Sequence, residues 1–158
     1  MRTFAYCRVS TTEQTTDNQI LAIRNAGYDI LDSRVVTETV SGSVPTSQRK
    51  GFTEMLARIE AGDTLVVLKL DRLGRDNIDI QQTVEKLGQM QIKIVCLDLP
   101  VPDLSTSEGK LMLQMFAIFA EFERNRIRER TIDGLNNAKE SGVKLGRPTA
   151  TSTTAKVV

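Results

Sequence analysis

Apolar residues fall along this chain in two patterns that take turns: short unbroken runs, and longer stretches with an apolar position every three or four residues. Tyr6 to Ser10, Ile30 to Thr37, Thr64 to Leu70 and Lys93 to Leu97 are the short runs, with the length and content of buried strands. Between them lie three helical stretches. Gln14 to Ala26 carries Ile20, Leu21 and Ile23 on one stripe, Gly51 to Ala61 carries Phe52, Met55, Leu56 and Ile59, and Asn77 to Gln89 carries Ile78, Ile80, Val84 and Leu87. Gly27 and Gly62 close the first two as C-cap glycines. Strands alternating with helices of this size predict βαβ units, hence an α/β fold with a mainly parallel sheet of four to five strands flanked by helices. There is no internal repeat.

The pattern changes beyond Pro100 and Pro102. Ser105-Thr106-Ser107-Glu108 offers helix caps, and no breaker follows until Gly134 and Gly142. A helix from Ser107 to Ser141 would be roughly 50 Å long, against about 30 Å for the width of a small domain, so it is expected to project from its own domain. Leu111, Met112, Leu113, Met115, Phe116, Ile118, Phe119 and Phe122 make its first half apolar nearly all round. One sheet covers one face of such a helix. The economical cover for the rest is a second copy of the same chain, through Leu111, Met115, Ile118, Phe119 and Phe122; the competing reading buries the helix wholly in its own domain. The second half turns charged. Arg124 and Arg128 stack one turn apart, as do Arg126 and Arg130, which fits either a solvated face or a helix riding along a phosphate backbone. Past the helix, Val143 to Pro148 reads as an extended arm whose Lys144 and Arg147 can approach DNA, Arg147 through a minor groove. The last residues, from Thr149, have the composition of a disordered end. The expected organisation is therefore an α/β domain over 1–102, the long helix over 103–141 and an arm over 142–158.

Composition narrows the chemistry. With 158 residues and no histidine, the chain is long enough for a core and cannot build a Ser-His-Asp triad or a histidine metal site. Two isolated cysteines, Cys7 and Cys96, sit inside apolar runs and suggest buried, reduced thiols and a cytoplasmic protein, with neither a zinc site nor any other cofactor. There is no signal peptide and no run long enough to span a bilayer. A net charge of +1 argues against indiscriminate nucleic-acid binding, so any phosphate recognition must come from the placement of arginines.

That placement has a pattern. Tyr6, Arg8 and Ser10 share one face of the first strand, with an arginine one pleat below a hydroxyl at the strand's carboxyl end. Thr64 to Leu70 likewise breaks into Asp71-Arg72-Leu73-Gly74-Arg75-Asp76. In parallel α/β sheets ligand sites gather beyond the carboxyl ends of strands, where both motifs lie. A further arginine, Arg49, lies in Gln48-Arg49-Lys50 at the end of the Ser/Thr/Gly/Pro-rich stretch from Glu38 to Lys50, a loop long enough to be functional. The plain alternative is a charged strand end with a serine that caps the next helix.

Taken together, Tyr6-Cys7-Arg8-Val9-Ser10, Gln14, Asp17-Asn18-Gln19, Ser41-Gly42, Arg49, Leu70 to Arg75, Glu121-Phe122-Glu123-Arg124 and Gly146-Arg147-Pro148 resemble the serine site-specific recombinases of the resolvase/invertase group, from Met1 to Pro148. The resemblance implies a DNA recombinase catalytic domain whose nucleophile is Ser10, with Arg8, Arg72 and Arg75 on the scissile phosphate and Asp71 their acidic partner. It makes Arg49 a further phosphate ligand, Gln14 and Gln19 supporting residues, and Tyr6 the aromatic at the strand base. It also implies a 5′-phosphoserine DNA intermediate, a homodimer that pairs into a synaptic tetramer on a double-stranded crossover site, and strand exchange by subunit rotation. Asp71 and a neighbouring arginine both stand open as acceptor of the serine's proton. Three departures stand out: the loop from Gly42 to Arg49 is a couple of residues longer than the usual pattern, Glu38 replaces a frequent aspartate, and the helix-turn-helix module expected after Gly-Arg-Pro does not follow. Two other readings compete: a non-catalytic, DNA-associated oligomerisation module of the same fold, and a flavodoxin-like nucleotide-binding or phosphotransfer domain. The second lacks both Gly-rich phosphate loops.

Overall fold

Four strands pair side by side in one parallel sheet in the computed structural model, which describes residues 1–10, 15–142 and 146. They are β1 (Thr3–Val9), β2 (Val35–Thr39), β3 (Thr64–Val67) and β4 (Lys93–Cys96), in the order β2-β1-β3-β4. Four helices alternate with them and follow them: α1 (Asp17–Asn25), α2 (Lys50–Leu56), α3 (Asn77–Gln89) and α4 (Ser107–Glu140). The α/β reading holds, with four strands rather than five among the described residues.

Alternation along the strands sorts the core into two layers. Ala5, Cys7, Val66 and Val95 face α1 and pack with Ile23 and Ile30. Phe4, Tyr6, Leu65, Val67 and Ile94 face the other way, against Phe52 and Met55 of α2, Ile80, Val84 and Leu87 of α3, and Leu113 of α4. The helix after β1 and the helix after β3 thus cover opposite faces although the two strands are neighbours. The carboxyl ends of β1 and β3 are therefore the switch point, the place at which such sheets bind ligands.

Several boundaries differ from the sequence expectation. The second strand starts at Val35 instead of Ile30, because Asp32–Arg34 turns in a short 3-10 helix, leaving Ile30 buried in the connection. The third ends at Val67, and Leu70–Arg72 curls into another 3-10 turn that carries the arginine motif. The second helix begins on Lys50 and stops at Leu56, although Ile59 beyond it is still buried. By contrast α3 has the expected bounds, fixed by Asp76, whose side chain accepts from the Asp79 N–H as an N-cap.

Two compact units divide the chain, Met1–Ala117 and a second beginning at Ile118. The first turns of α4 belong to the first unit. Leu113 is buried there, and Gly109 is required: a Cβ at this position would lie 2.0 Å from the Asp103 carbonyl oxygen. The second unit is helical to Glu140, with every residue from Ile118 to Asn137 exposed.

Candidate functional site

The site is assembled from one strand and the two loops beside it. Arg8 is the last but one residue of β1, held by its backbone: the Gln19 side-chain amide donates to the Arg8 carbonyl at 3.0 Å and its oxygen accepts from the Arg8 N–H at 3.4 Å. That bidentate clasp fixes the strand end, and with it the start of the segment led by the exposed Ser10. The Arg8 guanidinium is buried, donates from Nη1 to the Val40 carbonyl at 2.8 Å, and has Nη2 3.7 Å from Asp71. Gly42 lets the loop after β2 pass over it, since a Cβ there would stand 3.2 Å from Arg8 Nη2.

Arg72 reaches the same place from the turn after β3. Its Nη1 lies 3.3 Å from Asp71 Oδ2, so the half-exposed Asp71 carboxylate bridges Arg8 and Arg72. Arg49 comes from the third direction and is 0 % exposed, which is rare for an arginine. Its Nε donates to the Val44 carbonyl at 3.0 Å and its Nη1 to the Arg72 carbonyl at 2.7 Å, tying the loop after β2 to the loop after β3. The longer loop between Gly42 and Arg49 therefore leaves Arg49 beside the arginine turn.

Charge in this pocket is deliberately unbalanced. Burial, followed by the positive charges of Arg72 and Arg49, lowers the Arg8 pKa below its usual value, with Asp71 opposing. Three buried side-chain nitrogens have no hydrogen-bond partner: Arg8 Nε, Arg49 Nη2 and Arg72 Nε. These are the only such atoms among the described residues, and all three belong to guanidiniums at one edge of the sheet. A buried donor left unpaired costs about 1–3 kcal/mol, more when charged, so the arrangement suits an anion that accepts several N–H bonds at once.

Neighbouring groups shape the site without entering it. Tyr6 donates its hydroxyl to Glu38 Oε2 at 2.8 Å and stacks edge-on against Phe52, ring centroids 5.0 Å apart. Burial first, then the Glu38 bond and charge, push the phenol well above its usual range. Glu38 also accepts from the Gly51 N–H at 2.9 Å and the Phe52 N–H at 3.3 Å, so it closes the amino end of α2 next to Arg49. The Cys7 thiol points to the opposite layer and is pushed up to about 11 by burial, against the Arg72 charge, which removes it as a nucleophile near neutrality.

Of the residues singled out in the sequence, Arg8, Arg49, Asp71 and Arg72 come together, with Ser10 at the same edge and Gln19 and Tyr6 supporting them. Arg75 points elsewhere: it is half-exposed, and its Nε pairs with Asp76 at 3.1 Å. Gln14, Lys144 and Arg147 lie outside the described residues. Arg124, Arg126, Arg128 and Arg130 are exposed on α4, where Arg126 pairs with Glu123 at 3.3 Å and covers the Phe122 ring. Leu111, Met115, Ile118, Phe119 and Phe122 are exposed as well. Two residues that the sequence reading passed over, Thr46 and Asp79, join the loops that carry Arg49 and Arg72. The three-residue offset of Asp79 from Asp76 was their one visible signal. Among the described residues no group of three or more His, Cys, Asp or Glu could hold a metal ion, and no helix is long and apolar enough to cross a membrane.

Comparison with known proteins gives the chain its relatives. The family described as Resolvase, N terminal domain, matches residues 3–144. Transposon Tn2501 resolvase of Escherichia coli is 49% identical over 149 residues, covering 94% of this chain and 77% of that protein. Serine recombinase PinR of Escherichia coli K12 is 47% identical over 147 residues, covering 93% of this chain and 75% of its own. Among solved structures, the N-terminal catalytic domain of TP901-1 integrase superimposes with a TM-score of 0.61 at 29% identity, over 79% of this chain and 98% of that one. A resolvase family site-specific recombinase from Streptococcus pneumoniae, with a TM-score of 0.53 at 22% identity over 89% of this chain and 99% of that one, shares the fold.

Proposed function

Because the chain belongs to the resolvase N-terminal domain family, we propose that it is the catalytic domain of a site-specific DNA recombinase whose nucleophile is Ser10. The carrying observation is the set of three unpaired, buried guanidinium nitrogens on Arg8, Arg49 and Arg72, at the sheet edge where Ser10 emerges. A phosphodiester beside these arginines would meet three guanidinium charges, which is the demand of a phosphoryl centre gathering negative charge.

In this reading Ser10 Oγ attacks phosphorus, the deoxyribose 3′ oxygen departs as a hydroxyl, and the 5′ phosphate stays on the serine as an ester. The number of phosphodiester bonds is conserved, so a 3′ hydroxyl of the same or another strand can reverse the step without ATP. Arg8, Arg72 and Arg49 hold the phosphate oxygens, with Asp71 between Arg8 and Arg72 setting their orientation. Guanidiniums supply the charge, so cleavage is expected to continue in EDTA. Arg75, paired with Asp76 in the structure, would join only on a change of rotamer when DNA arrives. The exposed arginines of α4 follow the backbone beyond the cut, and the exposed apolar positions of α4 meet a second copy, giving a dimer and, on two sites, a tetramer acting in the cytoplasm.

A duplex carrying the candidate crossover site and a nick beside the scissile phosphate would trap the intermediate, since the short product strand diffuses away. The expected result is a protein–DNA adduct that survives denaturation, maps by mass spectrometry to the peptide containing Ser10, and disappears in Ser10→Ala. DNA binding without any adduct would leave a non-catalytic DNA-associated module.

A further inference from the structure

The arginines of the pocket lie on two loops, and Arg49 is not the only link between them. Thr46, in the 3-10 turn Thr46–Gln48, is 2 % exposed, and its hydroxyl lies 2.8 Å from the Leu73 carbonyl and 3.0 Å from Asp79 Oδ2. The same carboxylate oxygen accepts from the Thr46 N–H at 3.0 Å and from the Arg75 N–H at 2.8 Å. Asp79 sits in the first turn of α3, so one carboxylate on a rigid helix gathers the backbone of both loops. Gly74 allows the approach: a Cβ there would stand 2.6 Å from the Ile80 backbone nitrogen, so the arginine turn lies directly on the helix end.

We propose that Thr46 and Asp79 are positioning residues for the strand-cleavage step, a strut that fixes the Arg49 loop and the Arg72 turn at the separation one phosphate requires. The proposal rests on the recombinase reading above. Without the strut, the bond from Arg49 Nη1 to the Arg72 carbonyl would have to hold the two loops together, and Arg49 would have to serve as brace and ligand together. The strut relieves it of the first task. Its chemistry suits a brace: Thr46 and Asp79 spend their polar atoms on backbone groups and on each other, leaving the phosphate to the guanidiniums.

Thr46→Val removes the hydroxyl at nearly constant shape, and Thr46→Ser restores it. In single-turnover formation of the Ser10 ester, Thr46→Val is expected to slow the reaction by about tenfold to a hundredfold, the scale of a misplacement near 1 Å. The affinity for the intact duplex should stay within about threefold and Thr46→Ser should recover most of the rate, because uniform binding is untouched. Amide hydrogen exchange gives a readout free of catalysis: Thr46→Val should speed exchange across Leu70–Arg75 while the amides of β1 keep their protection. Normal ester formation by Thr46→Val, or unchanged exchange in that turn, would overturn the strut. A wild-type protein that forms no ester would overturn the recombinase reading, and the exchange measurement would still decide whether the two loops are coupled.

Discussion

Arg72→Ala separates catalysis from folding better than any other change in the pocket. The bond that matters for the fold is made by the Arg72 backbone carbonyl, which receives Arg49 Nη1 at 2.7 Å and survives truncation of the side chain. What is lost is a pairing with Asp71 at 3.3 Å, where the carboxylate is 59% exposed. Such a pair is worth about 0–1 kcal/mol, and removing one of three crowded cations relieves repulsion on Arg8, so folding stability should change by about 1 kcal/mol or less. The rate should behave quite differently. Deleting one preorganised donor to a developing oxyanion costs about a hundredfold to a thousandfold, or about 3–4 kcal/mol in the barrier. The assay is single-turnover formation of the Ser10 adduct on the nicked duplex, paired with urea unfolding of the same preparation. A folded Arg72→Ala protein that cleaves within about threefold of the wild-type rate would remove Arg72 from the transition state and refute the reading of the pocket.

Three more predictions concern the fold and its assembly. Asp63, held to a pKa of about 2 chiefly by the Arg2 guanidinium, contributes stability that is complete above the ordinary carboxylate range and lost as pH falls from about 5 towards 2. Asp63→Asn should flatten that acid limb and cost about 1–2 kcal/mol at neutral pH, a figure discounted because Arg2 is partly exposed, as read by urea titration across pH. Gly109→Ala should lower the melting temperature sharply, by about 3 kcal/mol of stability or more, because its Cβ would meet the Asp103 carbonyl oxygen; Gly134→Ala, with open space around it, should be neutral or stabilising. Sedimentation should find the chain self-associated, and Phe119→Arg, at a position 60% exposed in the single chain, should weaken association by about tenfold or more; a wild-type monomer at high concentration would contradict the dimer.

What the sequence disclosed follows from what periodicity can encode. Alternation placed Arg8 and Ser10 on one face of a strand, and two apolar runs ending in arginine motifs were enough to expect a shared edge, because β1 and β3 are neighbours and parallel. The helix from about Asn77 to Gln89 was legible from its apolar spacing, and the Asp76 cap that fixes its start shows only in the structure. Burial of Arg49 was not legible. A Ser/Thr/Pro-rich loop reads as surface, and only the tertiary fold shows that its carbonyls and those of the arginine turn close around one guanidinium. Thr46 and Asp79 were hidden for the same reason, as the bonds between them join segments far apart in the chain, and Glu38 showed only as a replacement for a frequent aspartate. Arg75 differs: the resemblance implied a phosphate ligand, and in this structure its guanidinium pairs with its neighbour Asp76.

The distribution of unsatisfied groups is itself an argument about function. Native proteins pair nearly all buried polar atoms, and exceptions need a cause. Random lapses in packing would be scattered through both core layers and among several residue types. Here the described residues contain three, all of them arginine nitrogens and all on side chains that converge from β1, the loop after β2 and the turn after β3. Elsewhere the same fold satisfies demanding groups with care: Asp63 collects donors from Arg2 and Glu60, and Glu38 serves a phenol and two helix N–H groups. A chain able to satisfy those has not failed to satisfy three arginines by accident. Local rules are broken at one edge of the sheet and in one charge sense, with the Arg8 and Arg49 side chains held by bonds to backbone carbonyls.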